Sequence, residues 1–497
     1  MYGTFWALVP PLFAIILALI IKEAYSSLFL GVLLGALFCA SFNPVATLDT
    51  VINDGLIAAI ADNAGIFLFL VILGIIVALV NKSGGSAAFG RWAEKNIKTR
   101  VGAALATFLL GILIFIDDYF NCLTVGSVMR PVTDGHRISR AKLAYLIDAT
   151  AAPVCMIAPI SSWAAAVSGV ANDLDTGISG IQLFIQAIPY NFYSLLTFVF
   201  IIALTLMKFD YGPMKVAEMS AQLNGELGAL QDDSRSSANP RGRVIDLIIP
   251  VIFLIITCTI GMIYVGGFWD GASFIDAFGD TDAFVALPWG GIIALIFAVI
   301  YFLCRRVITF KEAMECVPQG FIAMVPPIII LTLAVSLKTM TSTLGAAEFV
   351  HGVMEGAAAG LFNMLPAVIF VVGCVLAFAS GTSWGTFGIL IPIVVAIFPV
   401  DSRLLIIGIS ACCAGAVCGD HCSPISDTTI MASAGAQVNH LEHVSTQLPY
   451  AITVAGVSFV TYIFAGFIQN AIISILIGVV LTVATLFVIR KITAKAA

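Results

Sequence analysis

The chain has 497 residues, of which 60% are hydrophobic and 10% charged, with a net charge of −6. An ordinary soluble domain carries about 25% charged residues, so this composition excludes a soluble globular protein, whose surface it could not cover. A nucleic-acid partner is not expected.

Apolar runs recur from Trp6 to Ile489, each near the ~20 residues needed to cross about 30 Å of hydrocarbon. They read as spans at 4–21, 27–42, 64–80, 141–160, 190–209, 244–266, 283–304, 320–338, 403–419, 449–468 and 470–489. The first lacks a basic leading region and a clear cleavage site, so a retained helix is expected. The stretches 101–116 and 361–379 each run into a polar turn, Asp117-Asp118-Tyr119-Phe120-Asn121 and Ser380-Gly381-Thr382-Ser383, and then into a second apolar piece. Each reads as a re-entrant hairpin, because polar backbone at depth needs protein or a watery cavity around it.

The positive-inside rule orients this arrangement. With the N-terminus outside, eleven crossings and two hairpins put 21 of the 23 Lys and Arg residues on the cytoplasmic side, Lys338 and Arg403 being the exceptions. The C-terminus is then cytoplasmic. The expected location is a bacterial-type inner membrane, with the lipid bilayer as surrounding partner.

The chain also repeats. Ala152-Pro153-Val154-Cys155 and Ala158-Pro159-Ile160-Ser161-Ser162 correspond to Gly415-Ala416-Val417-Cys418 and Ser423-Pro424-Ile425-Ser426-Asp427. Asp54–Ala58 corresponds to Gln319–Ala323, in nearly the same register. The expected fold is therefore an all-α polytopic membrane protein made of two repeats, 1–211 and 244–469. They are joined by a cytoplasmic linker at 212–243 and followed by an extra C-terminal helix and tail at 470–497. Each repeat holds five crossings, one hairpin and one broken helix. Five is odd, so the second repeat is inverted, an architecture of many secondary transporters.

Polar residues concentrate at four corresponding places: Asp117, Asp118, Asn121 and Thr124 in the first hairpin, and Ser161 and Ser162 in the first broken helix. The second hairpin has Ser380, Gly381, Thr382 and Ser383, and the second broken helix Ser423, Ser426, Asp427 and Thr428. Freed carbonyls and hydroxyls at such breaks suit a hard cation such as Na⁺, though Ser, Thr and Pro also simply kink and pack helices. Intramembrane carboxylates are costly and point to function. Asp427, Asp117, Asp118, Asp148 and Asp420 are the candidates for proton coupling; the alternative for each is a structural pair with a buried donor. Adjacent acids do not easily both ionise in a dry site, so one holds a proton until a cation arrives.

Other patterns are weaker. Gly381-Thr382-Ser383-Trp384-Gly385 fits a nucleophile elbow, but that motif needs a strand–turn–helix context, and no enzyme activity is expected. Cys418-Gly419-Asp420-His421-Cys422 has zinc-ligand types at a weak helical spacing, so no transition-metal site is favoured. Nor is a resident cofactor expected, beyond Na⁺ and H⁺ as coupling ions. Gly352, Gly356 and Gly360 suit helix packing. The cysteines lie mostly within apolar runs and suggest free packing thiols.

Phe115-Ile116-Asp117-Asp118-Tyr119-Phe120-Asn121, Gly381-Thr382-Ser383-Trp384-Gly385-Thr386 and Gly419-Asp420-His421-Cys422-Ser423-Pro424-Ile425-Ser426-Asp427-Thr428-Thr429 resemble the signatures of the NhaC-type sodium/proton antiporter family. The resemblance covers nearly the whole chain. It implies inverted repeats, a homodimer, and a mobile transport domain built from hairpins and broken helices. It leaves Na⁺/H⁺ exchange and Na⁺-coupled movement of an amino acid or small organic acid both open. An ion channel is the alternative from another class, disfavoured by the inverted pair and the lack of a selectivity filter.

Overall fold

The computed structural model describes residues 2–21, 23–115, 118–159, 161, 163, 167, 180–228, 239, 241–274, 277, 281–346, 348–349 and 362–495. These are helical throughout, joined by short turns, with no strand among them. The first half runs through α1 (Val9–Ile21), α2 (Ala24–Cys39), α3 (Pro44–Asp62), α4 (Ala64–Ser83), α5 (Gly85–Asn96), α6 (Arg100–Leu113), α7 (Asp118–Gly135), α8 (Arg140–Asp148), α9 (Ala152–Cys155), α10 (Gly180–Ala187), α11 (Phe192–Met207) and α12 (Gly212–Leu223). The second half has α13 (Ile245–Val265), α14 (Ala283–Cys304), α15 (Phe310–Thr343), α16 (Leu365–Ser380), α17 (Ser383–Ile397), α18 (Arg403–Cys422), α19 (Asp427–Ala436), α20 (His440–Ile468) and α21 (Ala471–Lys495).

Among the described residues nine helices are long and apolar enough to cross a membrane, or ten when the bent pair α10–α11, angled at 44°, counts as one span. The chain is a multi-pass membrane protein. The count departs from eleven for local reasons. The helices α1 and α2 have 13 and 16 residues, short of a full span, while Pro44–Asp62, a helix that the sequence did not suggest, and Phe362–Ser380, expected as one arm of the second hairpin, enter the count. That helix carries Asp49, Asn53 and Asp54 and widens into a π-helical stretch over Thr50–Ile57, so its mean hydropathy is only 1.3. The 141–160 run is not one helix either: α8 stops at Asp148 and α9 restarts at Ala152.

The helices sort into two groups. In one, α1 packs on α2 and α13 on α14, while α4 packs on α14 and α15, and α15 on α2. The pairing is reciprocal, each half's later helix leaning on the other half's second helix. At the α4–α15 crossing a Cβ on Gly74 would lie 2.5 Å from Gly320 O, so backbones meet there with no room for a side chain. On the outer face, Ile252, Ile256 and Ile260 of α13 and Ile292, Ile296 and Ile300 of α14 are exposed at helical spacing, stripes suited to hydrocarbon.

The second group is built around α18, which is buried over almost its whole length against α16, α17 and α20. In the same group α7 packs on α6, α8 and α19. An ion pair closes one end of this group. Lys142 Nζ lies 2.5 Å from Asp210 Oδ1 in the loop after α11, and Tyr450 OH donates to the same oxygen at 2.5 Å. Burial opposes the Asp210 charge, yet Lys142 and the Tyr450 hydroxyl hold its carboxyl below the usual carboxylate range. Glu218 of α12 pairs with Arg100 and accepts from Ser139 N at 2.7 Å, fastening the start of the 212–243 stretch beneath α8.

Candidate functional site

The second helix pair turns at Gly381, where φ is +64° and a Cβ would lie 2.5 Å from Ile425 O. Only glycine meets both demands, and the turn is thereby pressed against the break between α18 and α19. Thr382 caps α17, its Oγ1 accepting from Gly385 N at 3.3 Å, and Thr386 Oγ1 donates back to Thr382 O at 2.8 Å. Gly381-Thr382-Ser383-Trp384-Gly385 is thus a helix C-cap followed by a helix N-cap. Ser383 Oγ donates to Asp420 Oδ2 at 2.7 Å, and Ser423 Oγ to Phe378 O at 2.8 Å. Ser426 caps α19 through Thr429 N and lies 3.0 Å from Thr428 Oγ1. Ser380 Oγ and Asp420 Oδ1 are buried with no hydrogen-bond partner among the described residues.

In the first pair α6 ends at Leu113 and α7 begins at Asp118; Asp117 lies outside the described residues, as does Ser162. Asp118 begins α7 and is buried. Asn121 Nδ2 faces three carbonyls, Gly111 O and Ile114 O at 2.7 Å and Thr150 O at 3.0 Å. Its two hydrogens are thereby committed to backbone, so Asn121 pins the end of α6 to the α8–α9 break; only its Oδ1, buried without a described partner, is left for a ligand. Thr124 Oγ1 is in the same condition. Ser161 Oγ donates to Cys155 O at 2.7 Å, a turn-stabilising contact.

The two halves meet here. Tyr119 OH donates to Asp427 Oδ2 at 2.5 Å, across 308 positions of sequence, and Cys122 Sγ lies 3.6 Å from Thr428 O. One step further along, α7 and α19 touch through Gly126 and Gly435. On the other side Trp163, fully buried, packs against Trp384 and Phe387 of α17 with ring centres 5.9 and 6.1 Å away. The first helix pair thus faces the second broken helix, and Trp163 beyond the first break faces the second pair.

Asp148, at the end of α8, joins the same neighbourhood. Its Oδ2 accepts from Thr429 Oγ1 at 3.0 Å and Gln447 Nε2 at 2.9 Å, and it lies near enough to Asp420 and Asp427 to interact electrostatically with both. Three carboxylates, Asp148, Asp420 and Asp427, therefore share one buried region with the hydroxyls of Ser383, Ser426, Thr428 and Thr429. Such a set can neutralise its charge with protons or with a hard cation.

Sequence reasoning weighed His421 only as a weak zinc-ligand type and passed over the rest of a second layer. His421 Nδ1 lies 2.8 Å from Tyr193 OH. His440 and His443 both reach Ser433 Oγ, at 3.0 and 2.9 Å, and Gln447 bridges Asp148 to His421 O. A signal existed: His440, His443 and Gln447 stand at i, i+3 and i+7, one helix face. Among the described residues no group of three or more His, Cys, Asp or Glu is arranged to hold a metal.

A model of the Na⁺/H⁺ antiporter family matches residues 154–467. A protein of Haemophilus influenzae described as uncharacterized is 36% identical over 502 residues, 98% of this chain and 95% of that protein. A malate-2H(+)/Na(+)-lactate antiporter of Bacillus subtilis is 31% identical over 100 residues, 20% of this chain and 21% of that protein. Among solved structures, the Alcanivorax borkumensis YdaH transporter aligns over 89% of this chain and 97% of that one, at 13% identity and a TM-score of 0.34, too loose a superposition to bear on the fold. This is a transporter, not an enzyme, and the chain belongs to the Na⁺/H⁺ antiporter family.

Proposed function

We propose that the protein exchanges Na⁺ for H⁺ by alternating access, with Na⁺ held where the two helix pairs meet the two broken helices. The observation that carries this reading is the Tyr119–Asp427 hydrogen bond at 2.5 Å, which brings a carboxylate of the second half into the first half's turn, beside Asp148 and Asp420. A buried carboxylate is costly unless a proton or cation accompanies it, so one set of oxygens serves both ions in turn. Asp427 is the primary coupling carboxylate, and Asp118, Asp148 and Asp420 support it. Asp117 and Ser162 complete the first half-site in this reading, and Thr382, Ser383, Ser423, Ser426 and Thr428 supply neutral oxygens.

In the same reading residues 1–211 and 244–469 are inverted repeats, joined by a cytoplasmic linker at 212–243 and followed by the tail from 470. The turns at 117–121 and 380–383 are re-entrant from opposite sides. The protein is a homodimer in an inner membrane, N-terminus outside. The reciprocal helix pairing and the positive-inside bias support this arrangement.

The test is Na⁺-driven proton movement in proteoliposomes carrying a pH dye. Wild type is expected to move protons on Na⁺ addition, with an apparent Na⁺ affinity that falls as pH falls, and Asp427→Asn is expected to abolish the signal. A wild type that moves no protons on Na⁺ addition overturns the exchange reading.

A second reading is Na⁺-coupled carriage of a small organic acid. It is favoured by the Trp163–Trp384–Phe387 wall beside the polar turns and by the partial match to a relative named for malate and lactate. Na⁺-dependent uptake of a labelled carboxylate without any Na⁺-induced pH change would select it.

A further inference from the structure

The hydrogen bonds around His443 determine which of its nitrogens carries a proton. Carbonyl oxygens only accept, so His440 Nε2, 2.6 Å from Pro424 O, must be the donor. The Ser433 hydroxyl has two other places for its hydrogen, Thr429 O at 2.8 Å, which only accepts, and, with His440 neutral, the acceptor Nδ1 of His440 at 3.0 Å. The hydroxyl has one hydrogen, and with Thr429 O and His440 already competing for it the oxygen accepts at its 2.9 Å contact with His443 Nδ1. His443 therefore bears its hydrogen on Nδ1 and turns a bare Nε2 toward Asp148 Oδ2, 3.8 Å away. That Nε2 is buried with no hydrogen-bond partner among the described residues, as is Asp148 Oδ1. Gln447 adds no freedom: its amide hydrogens go to Asp148 Oδ2 and His421 O, which fixes the nitrogen on that side.

An ionised Asp148 facing a bare Nε2 sets lone pair against negative charge in a dry place. Two states relieve this, and they contain the same number of protons. In one, Asp148 is a carboxylic acid beside neutral His443. In the other, the proton has left the carboxyl oxygen for His443 Nε2, giving a carboxylate beside an imidazolium that still donates from Nδ1 to Ser433. We infer that Asp148 and His443 together form a one-proton site, which surrenders its proton to water when a cation binds beside Asp148. This rests on the exchange reading above and adds to it a second proton-holding position, in which His443 acts as a positioning residue through Asp148. The titratable groups facing the pair are His440 on its own helix, Asp420, His421 and Cys422 of α18, and Asp427 of α19, with Tyr193 of α11 behind His421.

The experiment counts protons released when Na⁺ is added to the detergent-solubilised protein in weakly buffered solution with a pH dye, across pH 6 to about 9. Wild type is expected to release protons, Asp148→Asn to release fewer, and His443→Gln to release about half as many or less near neutral pH with a displaced midpoint. Ser433→Ala removes the contact that sets the His443 hydrogen and keeps both titrating groups. It is expected to move the midpoint without abolishing release, and it serves where His443→Gln does not fold. Folded His443→Gln and Ser433→Ala proteins with wild-type release and midpoint overturn the inference. The same vesicle assay keeps the two readings apart. Na⁺-driven exchange with a His443-independent proton leaves the exchange reading standing and this one fallen. A His443-dependent proton released by a protein that moves none across vesicles does the reverse.

Discussion

Gly126→Ala tests whether the α7–α19 contact sets the geometry of the site. A Cβ at Gly126 would lie 2.4 Å from Gly435 C and 2.6 Å from its Cα and O. All three are backbone atoms, so no rotamer change can relieve the overlap. Carbon atoms in contact sit about 3.5–4.0 Å apart, so the helices must separate locally by about 1 Å. Tyr119 lies two turns earlier on the same face of α7, and the same displacement takes its oxygen from 2.5 Å to about 3.5 Å from Asp427, outside hydrogen-bonding range. Overpacking costs about 1–3 kcal/mol, and a hydrogen bond to a charged group contributes about 1.5–3 kcal/mol. An expected loss of about 3 kcal/mol or more follows when both are forfeited. Gly388→Ala is the control, since a Cβ there meets nothing within 4 Å, and its helical position predicts a gain of up to about 1 kcal/mol. The assays are thermal unfolding of the solubilised protein and cation-driven proton movement in vesicles. A Gly126→Ala protein that melts with wild type and exchanges at the wild-type rate refutes the reasoning, because the contact would then not constrain Tyr119 and Asp427.

Asp210→Asn is expected to lower the melting temperature at neutral pH, because removing one partner of a buried pair costs about 3–5 kcal/mol. The folded carboxyl is held below its usual range, so its stabilisation is full above the unfolded value near 3.9 and disappears as pH falls through the folded value. The gap between wild type and Asp210→Asn must therefore close in acid below about pH 4, and a gap as wide there as at neutral pH would contradict the assignment. Na⁺ is expected to raise the melting temperature of the solubilised protein more than K⁺ does. Thr382→Ala and Ser426→Ala should each lose about 1 kcal/mol through a missing cap and also shrink the Na⁺ increment; an unchanged increment removes that residue from the cation site. In a background lacking the eleven cysteines, single cysteines at Gly135 and Asp401 should label from opposite faces of the membrane, and labelling from one face ends the inverted-repeat reading.

What was legible in the sequence is what local chemistry controls. Long apolar runs dictate membrane helices, because backbone polar groups in hydrocarbon must be satisfied within the segment. The turn at Ser380–Ser383 was readable because glycine before a threonine cap is a local stop-and-start signal, and the structure ends α16 at Ser380 and begins α17 at Ser383. The break at Ser423–Ser426 was readable from Pro424 among capping residues, and α18 ends at Cys422 and α19 starts at Asp427. Pro44–Asp62 was missed because its charges dilute a one-dimensional hydropathy pattern, although the segment still folds as a helix.

The partnerships inside the site were decided by tertiary structure alone. Asn121 was read as an ion ligand from its place beside two acids; its amide nitrogen is taken up by carbonyls of Gly111, Ile114 and Thr150, which leaves only its Oδ1 for that role. Asp148 was identified as a buried acid, while its partners Thr429 and Gln447 lie 281 and 299 positions away. Periodicity reports which face of a helix is apolar, and capping residues report where a helix ends. Neither reports which polar groups on two distant helices will meet, because that depends on backbone approach at places such as Gly126 and Gly435, and only the packed helices together determine it.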